Sequence, residues 1–194
     1  MNRIIRGSIL PSEITLSDAE LSARLCTPSS VNDPKIKEVV DGVLSACEVS
    51  YVATFLDVLK NEDAEVFFDG FSIRSGALSK YFAQSRHTVI FVITLGSAVD
   101  RLIMKKKSLS LSEGFIYDAV ASAIAEGACD ALQAKLVPQK ESKNRFSPGY
   151  ADCPLSVQRQ IFDLLLADKY IGVKLLDSLL MSPMKSVSAF IALP

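Results

Sequence analysis

Tryptophan is absent from the 194-residue sequence, and aromatic residues make up only 8% of it. Because 49% of the residues are hydrophobic, we expect a sizeable core that is mainly aliphatic. The sequence has a single histidine, His87, and its four cysteines form no C-x-x-C pair. A zinc site therefore has few ligands available, and we predict no metal site. Free cysteines in a reducing compartment are the expected state.

The sequence also lacks an excess of basic residues over acidic ones and lacks long apolar runs. The formal net charge is −1, whereas a nucleic-acid binder needs a surplus of positive charge to neutralise phosphates. No stretch approaches the roughly 20 apolar residues of a membrane span, and residues 89–95 have the length of a strand. No apolar segment of signal-peptide length follows the first six residues. These absences predict a cytoplasmic protein with neither a nucleic-acid partner nor a membrane partner.

The first half of the chain alternates helix signals with short strand patterns. Ser17-x-x-Glu20 is a capping box that predicts a helix, and a longer amphipathic helix is expected from Pro34 to about Cys47. Residues 1–50 are accordingly predicted to be an N-terminal helical portion. The apolar pattern of residues 51–59 suits either helix or strand. Two short strands around a turn are predicted for residues 66–68 and 71–73.

The second half contains the most regular signals. Residues 87–94 predict a strand that is buried on both faces, and Ser110-x-x-Glu113 opens a predicted helix over residues 111–136. Pro154 is expected in the first turn of a later helix, and residues 172–175 and 186–193 in strands. The predicted fold class is α+β, with helices packed on a small mixed or antiparallel sheet, in one domain that spans residues 1–194.

Glu126 lies in the middle of the small-residue stretch of the long helix, beside alanines and a serine. Small side chains allow another backbone or a ligand to come close. The carboxylate is therefore either solvated on an exposed face or placed to bind an amine or hydroxyl of a ligand. The pattern alone favours the solvated interpretation.

The run Arg145-Phe-Ser-Pro-Gly-Tyr150, followed by Ala-Asp-Cys-Pro154, combines three chemical properties. A guanidinium can grip a carboxylate through two parallel hydrogen bonds, and glycine allows a close backbone approach. A tyrosine ring can stack on a flat ligand or lie against a cation. Cys153 lies beside this motif at a predicted helix start, where a thiolate would be favoured. The alternative is a surface loop whose arginine pairs with a protein carboxylate and whose tyrosine fills the edge of the core, and the residues support both interpretations equally.

The motif Arg-x-x-x-Gly-Tyr resembles the S-adenosylmethionine-binding signature of the activation domain of cobalamin-dependent methionine synthase. The resemblance extends to the strand, Leu-Gly turn and helix of residues 91–103, to Ala125-Glu126 and to the turn of residues 181–188. It covers the chain from about residue 16 to the end. The sequence is most similar to stand-alone members, in which the activation domain is a separate polypeptide.

The resemblance implies a role in repairing an oxidised cobalamin enzyme. In this family, a flavodoxin-like donor reduces cob(II)alamin, and S-adenosylmethionine bound to the activation domain supplies a methyl group. The cobalamin is carried by the partner, a methionine synthase or related corrinoid protein. The domain itself needs no nucleophile or base, which agrees with a sequence that offers no self-contained catalytic set.

The resemblance also assigns roles to residues. Arg145 would hold the ligand, Gly149 would allow close backbone approach, Tyr150 would line the pocket and Glu126 would contact a polar ligand group. Backbone groups of Phe146 and Ser147 would read the adenine edge. Two features depart from the long synthases: Ile191 stands where a pocket tyrosine is expected, and no residue clearly matches an acidic residue from their N-terminal extension.

Two other functions remain open at this level. The same fold could be a docking module for a corrinoid protein with a degenerate S-adenosylmethionine site, which the missing strand tyrosine favours. A self-contained methyltransferase acting on another acceptor is the third, although no general base stands near the motif in the sequence.

Overall fold

The computed structural model describes residues 3–137 and 144–194. It has the predicted α+β architecture, with an antiparallel sheet that is covered on both faces. Within the described residues this main sheet has four strands in the order β1, β2, β6, β9, and each neighbouring pair is antiparallel. The strands are β1 (Ile5–Ser8), β2 (Ser50–Asp57), β6 (His87–Thr94) and β9 (Ser186–Leu193).

One face of the main sheet carries the larger core. Alternate side chains of the strands, such as Phe91 of β6 and Ile191 of β9, are fully buried against helices on this side. Helix α5 contacts α1, α2 and α4 and lies over the sheet. These helices are α1 (Asp18–Leu25), α2 (Pro34–Ala46), α4 (Ser97–Leu109) and α5 (Leu111–Leu136).

The opposite face carries a second, more aromatic core. Phe190 of β9 is fully buried there with Phe68 and Phe82, and its ring centroid lies 6.1 and 6.2 Å from theirs. The elements on this face are the strands β3 (Lys60–Glu62), β4 (Glu65–Phe68) and β5 (Phe71–Arg74) and the helices α3 (Gly76–Tyr81), α6 (Val157–Leu165) and α7 (Ala167–Ile171). A short pair, β7 (Lys174–Leu175) and β8 (Met181–Ser182), leads into β9.

The small residues of α5 allow the N-terminal segment to pass close to the helix. A Cβ atom at Gly127 would lie 2.7 Å from the carbonyl oxygen of Thr15, which is closer than packed atoms can approach. Gly127 therefore lets the segment before α1 lie directly on α5. This contact brings Glu20 and Arg24 of α1 beside Glu126 of α5.

Several predicted elements are confirmed. The Ser17 side chain accepts a hydrogen bond from the Glu20 N–H at the start of α1, and α5 spans the predicted residues 111–136. Residues 50–57 form a strand, which resolves the choice between helix and strand for that region.

Two features differ from the prediction. The N-terminal portion, predicted as helical, also contributes strand β1 to the sheet, and α6 begins at Val157, so that Pro154 lies in a turn before the helix.

Among the helices of the described residues, none combines the length and the apolar character that crossing a bilayer requires.

Candidate functional site

The motif loop, residues 144–153, contains a tight turn at its centre. The Tyr150 N–H donates to the Ser147 carbonyl at 3.2 Å, with Pro148 and Gly149 between them. Gly149 has a φ of 90°, which with Pro148 before it is typical of a type II turn. A Cβ atom at this glycine would also lie 3.3 Å from the Leu155 side chain. The backbone conformation therefore requires glycine at this position, and the space beside its Cα atom leaves little room for a larger side chain.

The start of the motif loop is attached to the open edge of the sheet. The Phe146 N–H donates to the Phe190 carbonyl at 3.0 Å, and the Phe190 N–H donates to the Phe146 carbonyl at 2.8 Å. The Tyr81 hydroxyl extends this edge, because it donates to the Phe190 carbonyl at 3.2 Å and accepts from the Ala192 N–H at 2.8 Å. Burial raises the pKa of Tyr81 to about 12, so the hydroxyl keeps its proton at neutral pH. The backbone of Phe146 thus holds the loop in place.

The end of the motif loop is attached to helix α3 by Asp152. Its carboxylate accepts hydrogen bonds from the Ser75 hydroxyl at 2.6 Å, the Gly76 N–H at 2.7 Å and the Ala77 N–H at 3.0 Å. These donors, led by the Ser75 hydroxyl, lower the pKa of Asp152 because they stabilise its charged form. Asp152 thus satisfies N–H groups at the start of α3 and fixes the loop on that helix.

We expect Asp152 to make the stability of the loop depend on pH. Because its pKa is lower in the folded protein than in the unfolded chain, where it is about 3.9, its stabilisation is complete above that value. The stabilisation is lost as the pH falls through the lower pKa of the folded state. Asp152→Ala should therefore destabilise the protein at neutral pH and flatten the acid side of its stability profile.

Urea unfolding between about pH 2.5 and pH 7 measures this effect. The matched control is Asp69→Ala, which removes an exposed carboxylate from the turn between β4 and β5. An acid profile of Asp152→Ala that parallels the wild type would contradict the role assigned to Asp152.

Arg145 lies at the centre of an ion-pair cluster with helix α5. Its guanidinium donates to Glu126 Oε2 at 3.0 Å, to Asp130 Oδ1 at 2.5 Å and to Gln133 Oε1 at 3.3 Å. These three acceptors lie on one face of α5 because they are three or four residues apart. The Arg145 side chain is only 17% exposed, whereas that of Asp130 is 72% exposed. Arg145 is therefore a fixed positive charge beside one solvated carboxylate and one partly buried carboxylate.

The charge of Arg145 is maintained despite burial. Burial lowers the pKa of this guanidinium, but the neighbouring carboxylates of Asp130 and Glu126 raise it, and the net shift is upward. Glu126 Oε1 also accepts from Arg24 at 3.3 Å, so the Glu126 carboxylate bridges two arginines. The pattern-based preference for a solvated Glu126 is only partly correct, because its side chain is 34% exposed and paired on both oxygens.

Arg145 and its partners line a cavity of about 640 Å³ beside the edge strand β9. Its charged lining residues are Arg145 of the motif loop and Glu126 and Asp130 of α5, and its other lining residues are uncharged. The cavity is lined by Glu126, Asp130, Gln133 and Ala134 of α5, by Asn144, Arg145, Ser147, Pro148 and Tyr150 of the motif loop, and by Gln158, Met181, Ser186, Val187 and Ser188. Its volume is in the range of small-molecule sites.

The cavity brings together most of the residues singled out from the sequence. Tyr150 is 55% exposed at the cavity, and its ring centroid lies 5.9 Å from that of Phe146. Ser147 lines the cavity, and no hydrogen bond from its N–H occurs among the described residues. Of the six predicted residues, Arg145, Glu126, Ser147 and Tyr150 line the cavity, whereas Phe146 and Gly149 support the loop from outside its lining.

Several polar residues of the cavity were not singled out from the sequence, and two of them are deeply buried. Gln158 is 6% exposed and Ser188 is 2% exposed. Within residues 3–137 and 144–194, Gln158 Oε1 and Ser188 Oγ are buried without a hydrogen-bond partner. The available signal was the position of Gln158, which shares the buried face of α6 with Val157 and Ile161. A glutamine on an otherwise apolar face needs a partner that the sequence does not supply.

A second cavity, of about 520 Å³, lies between α5 and the N-terminal segment. Glu13 and Glu20 line it, and both cavities share Glu126, Asp130, Ala134 and Arg145. Acidic side chains of the N-terminal portion therefore lie close to the Arg145 cluster. No residue was assigned to this acidic position from the sequence, because the contact depends on how the segment crosses α5.

Two other positions bear on the sequence-based expectations. Ile191 is buried in the core beneath α5 and does not line the cavity. Cys153 is 2% exposed, and burial raises the pKa of its thiol. The expectation of a favoured thiolate at Cys153 is therefore wrong, because the thiol is buried and α6 begins only at Val157.

In the described parts of the chain, no three His, Cys, Asp or Glu side chains lie close enough together to hold a metal ion.

The motif and its neighbours match a known family. The family model described as "Vitamin B12 dependent methionine synthase, activation domain" matches residues 77–193, which is more than half of the chain. The fold is similar to that in "Crystal Structure of the MetH Reactivation Domain bound to AdoHcy", with a TM-score of 0.70 and 15% identity over 99% of this chain and 78% of that one. No curated protein matches the sequence. The resemblance inferred from the motif is confirmed: the chain belongs to the family of activation domains of vitamin B12-dependent methionine synthase.

Proposed function

We propose that this chain binds S-adenosylmethionine and supports reductive methylation of cob(II)alamin on a separately encoded cobalamin-dependent methionine synthase. The observation that carries this proposal is the meeting of Arg145, Glu126 and Tyr150 in one cavity on an activation-domain fold. These residues provide a carboxylate clamp, a partner for a polar ligand group and an aromatic face. The similar reactivation domain is described as bound to AdoHcy, the demethylated form of the same ligand.

The reaction would require little chemistry from the chain itself. The partner's cobalamin, reduced to cobalt(I) by a donor such as flavodoxin, would supply the electron pair that takes the methyl group from the sulfonium, and S-adenosylhomocysteine would leave. The chain would bind and orient the methyl donor, so no nucleophile or general base of its own is needed.

The residues that line the cavity suit the chemical groups of such a ligand. Arg145 would take the carboxylate of the amino-acid part, and Glu126 would contact a polar group beside it. Tyr150 would lie along the ligand at the rim, and the Ser147 N–H would donate to its nucleoside part. Phe146 and Gly149 would act through the loop, because Phe146 attaches it to β9 and Gly149 permits its turn.

Residues 1–194 would act as one activation-domain-like unit, with residues 1–50 as its N-terminal portion. Strand β1 pairs with β2, and Leu21 of α1 is fully buried in the core formed by α5.

The partner would be a cobalamin-carrying methionine synthase or corrinoid protein. Exposed Leu180, next to the cavity residue Met181, and exposed Tyr150 offer apolar surface to it. We place this function in the cytoplasm, where four free cysteines stay reduced.

Ligand binding would require Arg145 to change partners. Asp130 occupies one side of the guanidinium, where a ligand carboxylate would bind. Because Asp130 is largely exposed, this ion pair contributes little, about 0.2–1 kcal/mol. The ligand can therefore displace Asp130 at low cost, while Glu126 stays paired with Arg24.

We expect Asp130→Asn to tighten ligand binding by about two- to fivefold, because it removes the competing carboxylate. Titration with S-adenosylhomocysteine measures the change. Asp163→Asn, an exposed site on α6, is the matched control. Weaker binding by Asp130→Asn would show that Asp130 contacts the ligand directly.

A reactivation assay tests the proposed function. The chain is mixed with a cobalamin-dependent methionine synthase that lacks its own activation domain and is held as cob(II)alamin, together with reduced flavodoxin and methyl-labelled S-adenosylmethionine. We expect label to appear on cobalamin with the wild type and with Arg159→Ala, which removes an exposed arginine of α6. Arg145→Ala should transfer little label.

The alternative is a docking module for a corrinoid protein without ligand binding. The internal ion pairs favour it, since Glu126 and Asp130 satisfy Arg145 without a ligand. A complex between the chain and the cobalamin protein that forms normally but transfers no label, with no ligand bound, would support this alternative over the proposed function.

A further inference from the structure

Two residues that line the Arg145 cavity carry buried side-chain oxygens with no hydrogen-bond partner among the described residues. Gln158 Oε1 belongs to α6, and Ser188 Oγ belongs to the edge strand β9. Native proteins rarely bury a polar atom without a partner, because its lost hydration is not replaced. Both residues line the same cavity, so a ligand bound there lies next to both of them, and a small side-chain rotation would let it pair with these oxygens.

The neighbouring Ser186 shows that the strand can satisfy a buried hydroxyl when no ligand is involved. Its Oγ donates to Thr94 Oγ1 at 2.8 Å and lies 2.7 Å from the Pro183 carbonyl. Ser186 and Ser188 lie on the same face of β9, two residues apart, and both line the cavity. The unsatisfied state of Ser188 is therefore specific to its position.

We propose that Gln158 and Ser188 are specificity-determining residues that bind the amino-bearing edge of the ligand's adenine ring. This assignment rests on the proposed function and deepens it. The charged lining residues Arg145 and Glu126 take the zwitterionic amino-acid part of the ligand. The uncharged lining residues, among them Tyr150 and Pro148, take the flat heterocycle.

The chemistry of the two groups matches that edge. An amide oxygen only accepts hydrogen bonds, so Gln158 Oε1 requires a donor such as an exocyclic amino group. The Ser188 hydroxyl can donate, and the adenine edge presents ring-nitrogen acceptors beside its amino group. A purine without the amino group would leave Gln158 Oε1 unpaired in the complex.

A cycle that combines a protein change with a ligand change tests the assignment to Gln158. S-adenosylhomocysteine and its counterpart without the exocyclic amino group are titrated into the wild type, Gln158→Met and Gln160→Met. Removing the amino group should weaken binding about tenfold in the wild type and in Gln160→Met, the control on the same helix. In Gln158→Met, which cannot accept that hydrogen bond, the loss should be less than about twofold.

Ser188→Ala provides a second, independent readout. The thermal midpoint of the ligand-free protein should stay the same or rise, because an unpaired buried hydroxyl is removed. Ser186→Ala should lower the midpoint, because this hydroxyl is hydrogen-bonded inside the protein. Affinity of Ser188→Ala for S-adenosylhomocysteine should fall by about fivefold or more.

The outcomes separate this assignment from the proposed function. If the wild type binds neither ligand, even with the cobalamin partner present, the proposed function fails and the assignment falls with it. If the wild type binds but loss of the amino group weakens Gln158→Met as much as the wild type, only the assignment is overturned. A destabilised, normally binding Ser188→Ala would likewise overturn the role of Ser188.

Discussion

Replacing Arg145 with alanine is expected to lower the affinity for S-adenosylhomocysteine by about 100-fold, which corresponds to about 2.7 kcal/mol. Hydrogen bonds to charged groups contribute about 1.5–3 kcal/mol, and a guanidinium can offer two of them to a carboxylate. The substitution also leaves Glu126 and Asp130 without their shared cation, so that two carboxylates face the carboxylate of the ligand. Equilibrium dialysis with labelled ligand measures the loss.

Two further variants show whether the fork or only the charge of Arg145 matters. Arg145→Lys keeps the positive charge but loses the planar pair of donors, so we expect it to bind with intermediate affinity. Arg159→Ala removes an exposed arginine of α6 that does not line the cavity, and it should bind like the wild type. Tight binding by a folded Arg145→Ala would exclude Arg145 as the carboxylate clamp.

Phe190→Ala is expected to destabilise the protein by about 3–5 kcal/mol, the usual cost of truncating a buried phenylalanine. Phe190 is fully buried, and its ring packs with Phe68 and Phe82. Its backbone also holds Phe146 at the start of the motif loop. We therefore expect weaker ligand binding as well, because the cavity left behind loosens the sheet edge that positions the loop.

Urea unfolding measures the loss of stability, and titration at a temperature where the variant is folded measures binding. Phe55→Ala, in β2 of the same sheet, is the matched control because Phe55 is 43% exposed, and it should cost much less. Equal losses of stability in the two variants would contradict the central packing role of Phe190.

The regular elements could be predicted because their signals are local. The long helix α5 begins at the serine of its capping box and continues through small helix-forming residues, and strand β6 shows the continuous apolar run of a strand buried on both faces. The type II turn at Gly149 follows equally from Pro-Gly chemistry. The family motif then identified Arg145, Glu126 and Tyr150, which the structure places in one cavity.

The remaining features depend on contacts between distant parts of the chain. Strand β1 has only four residues, three of them exposed, and forms by pairing with β2. Asp130 is an exposed helix residue by pattern, and only the path of the motif loop makes it a partner of Arg145. Ser188 looks like any serine in an alternating strand, and its unsatisfied hydroxyl becomes apparent only when the cavity beside β9 is formed. Burial of Cys153 similarly arises from tertiary packing.

Calorimetric titration of S-adenosylmethionine into the wild-type chain, alone and with a cobalamin-carrying partner, tests ligand binding at the Arg145 cavity most directly. We predict saturable binding to a single site in the micromolar range, which Arg145→Ala weakens by about 100-fold. The absence of binding at millimolar ligand in both conditions would contradict the proposed function and leave a docking module that has kept its motif loop for structural reasons.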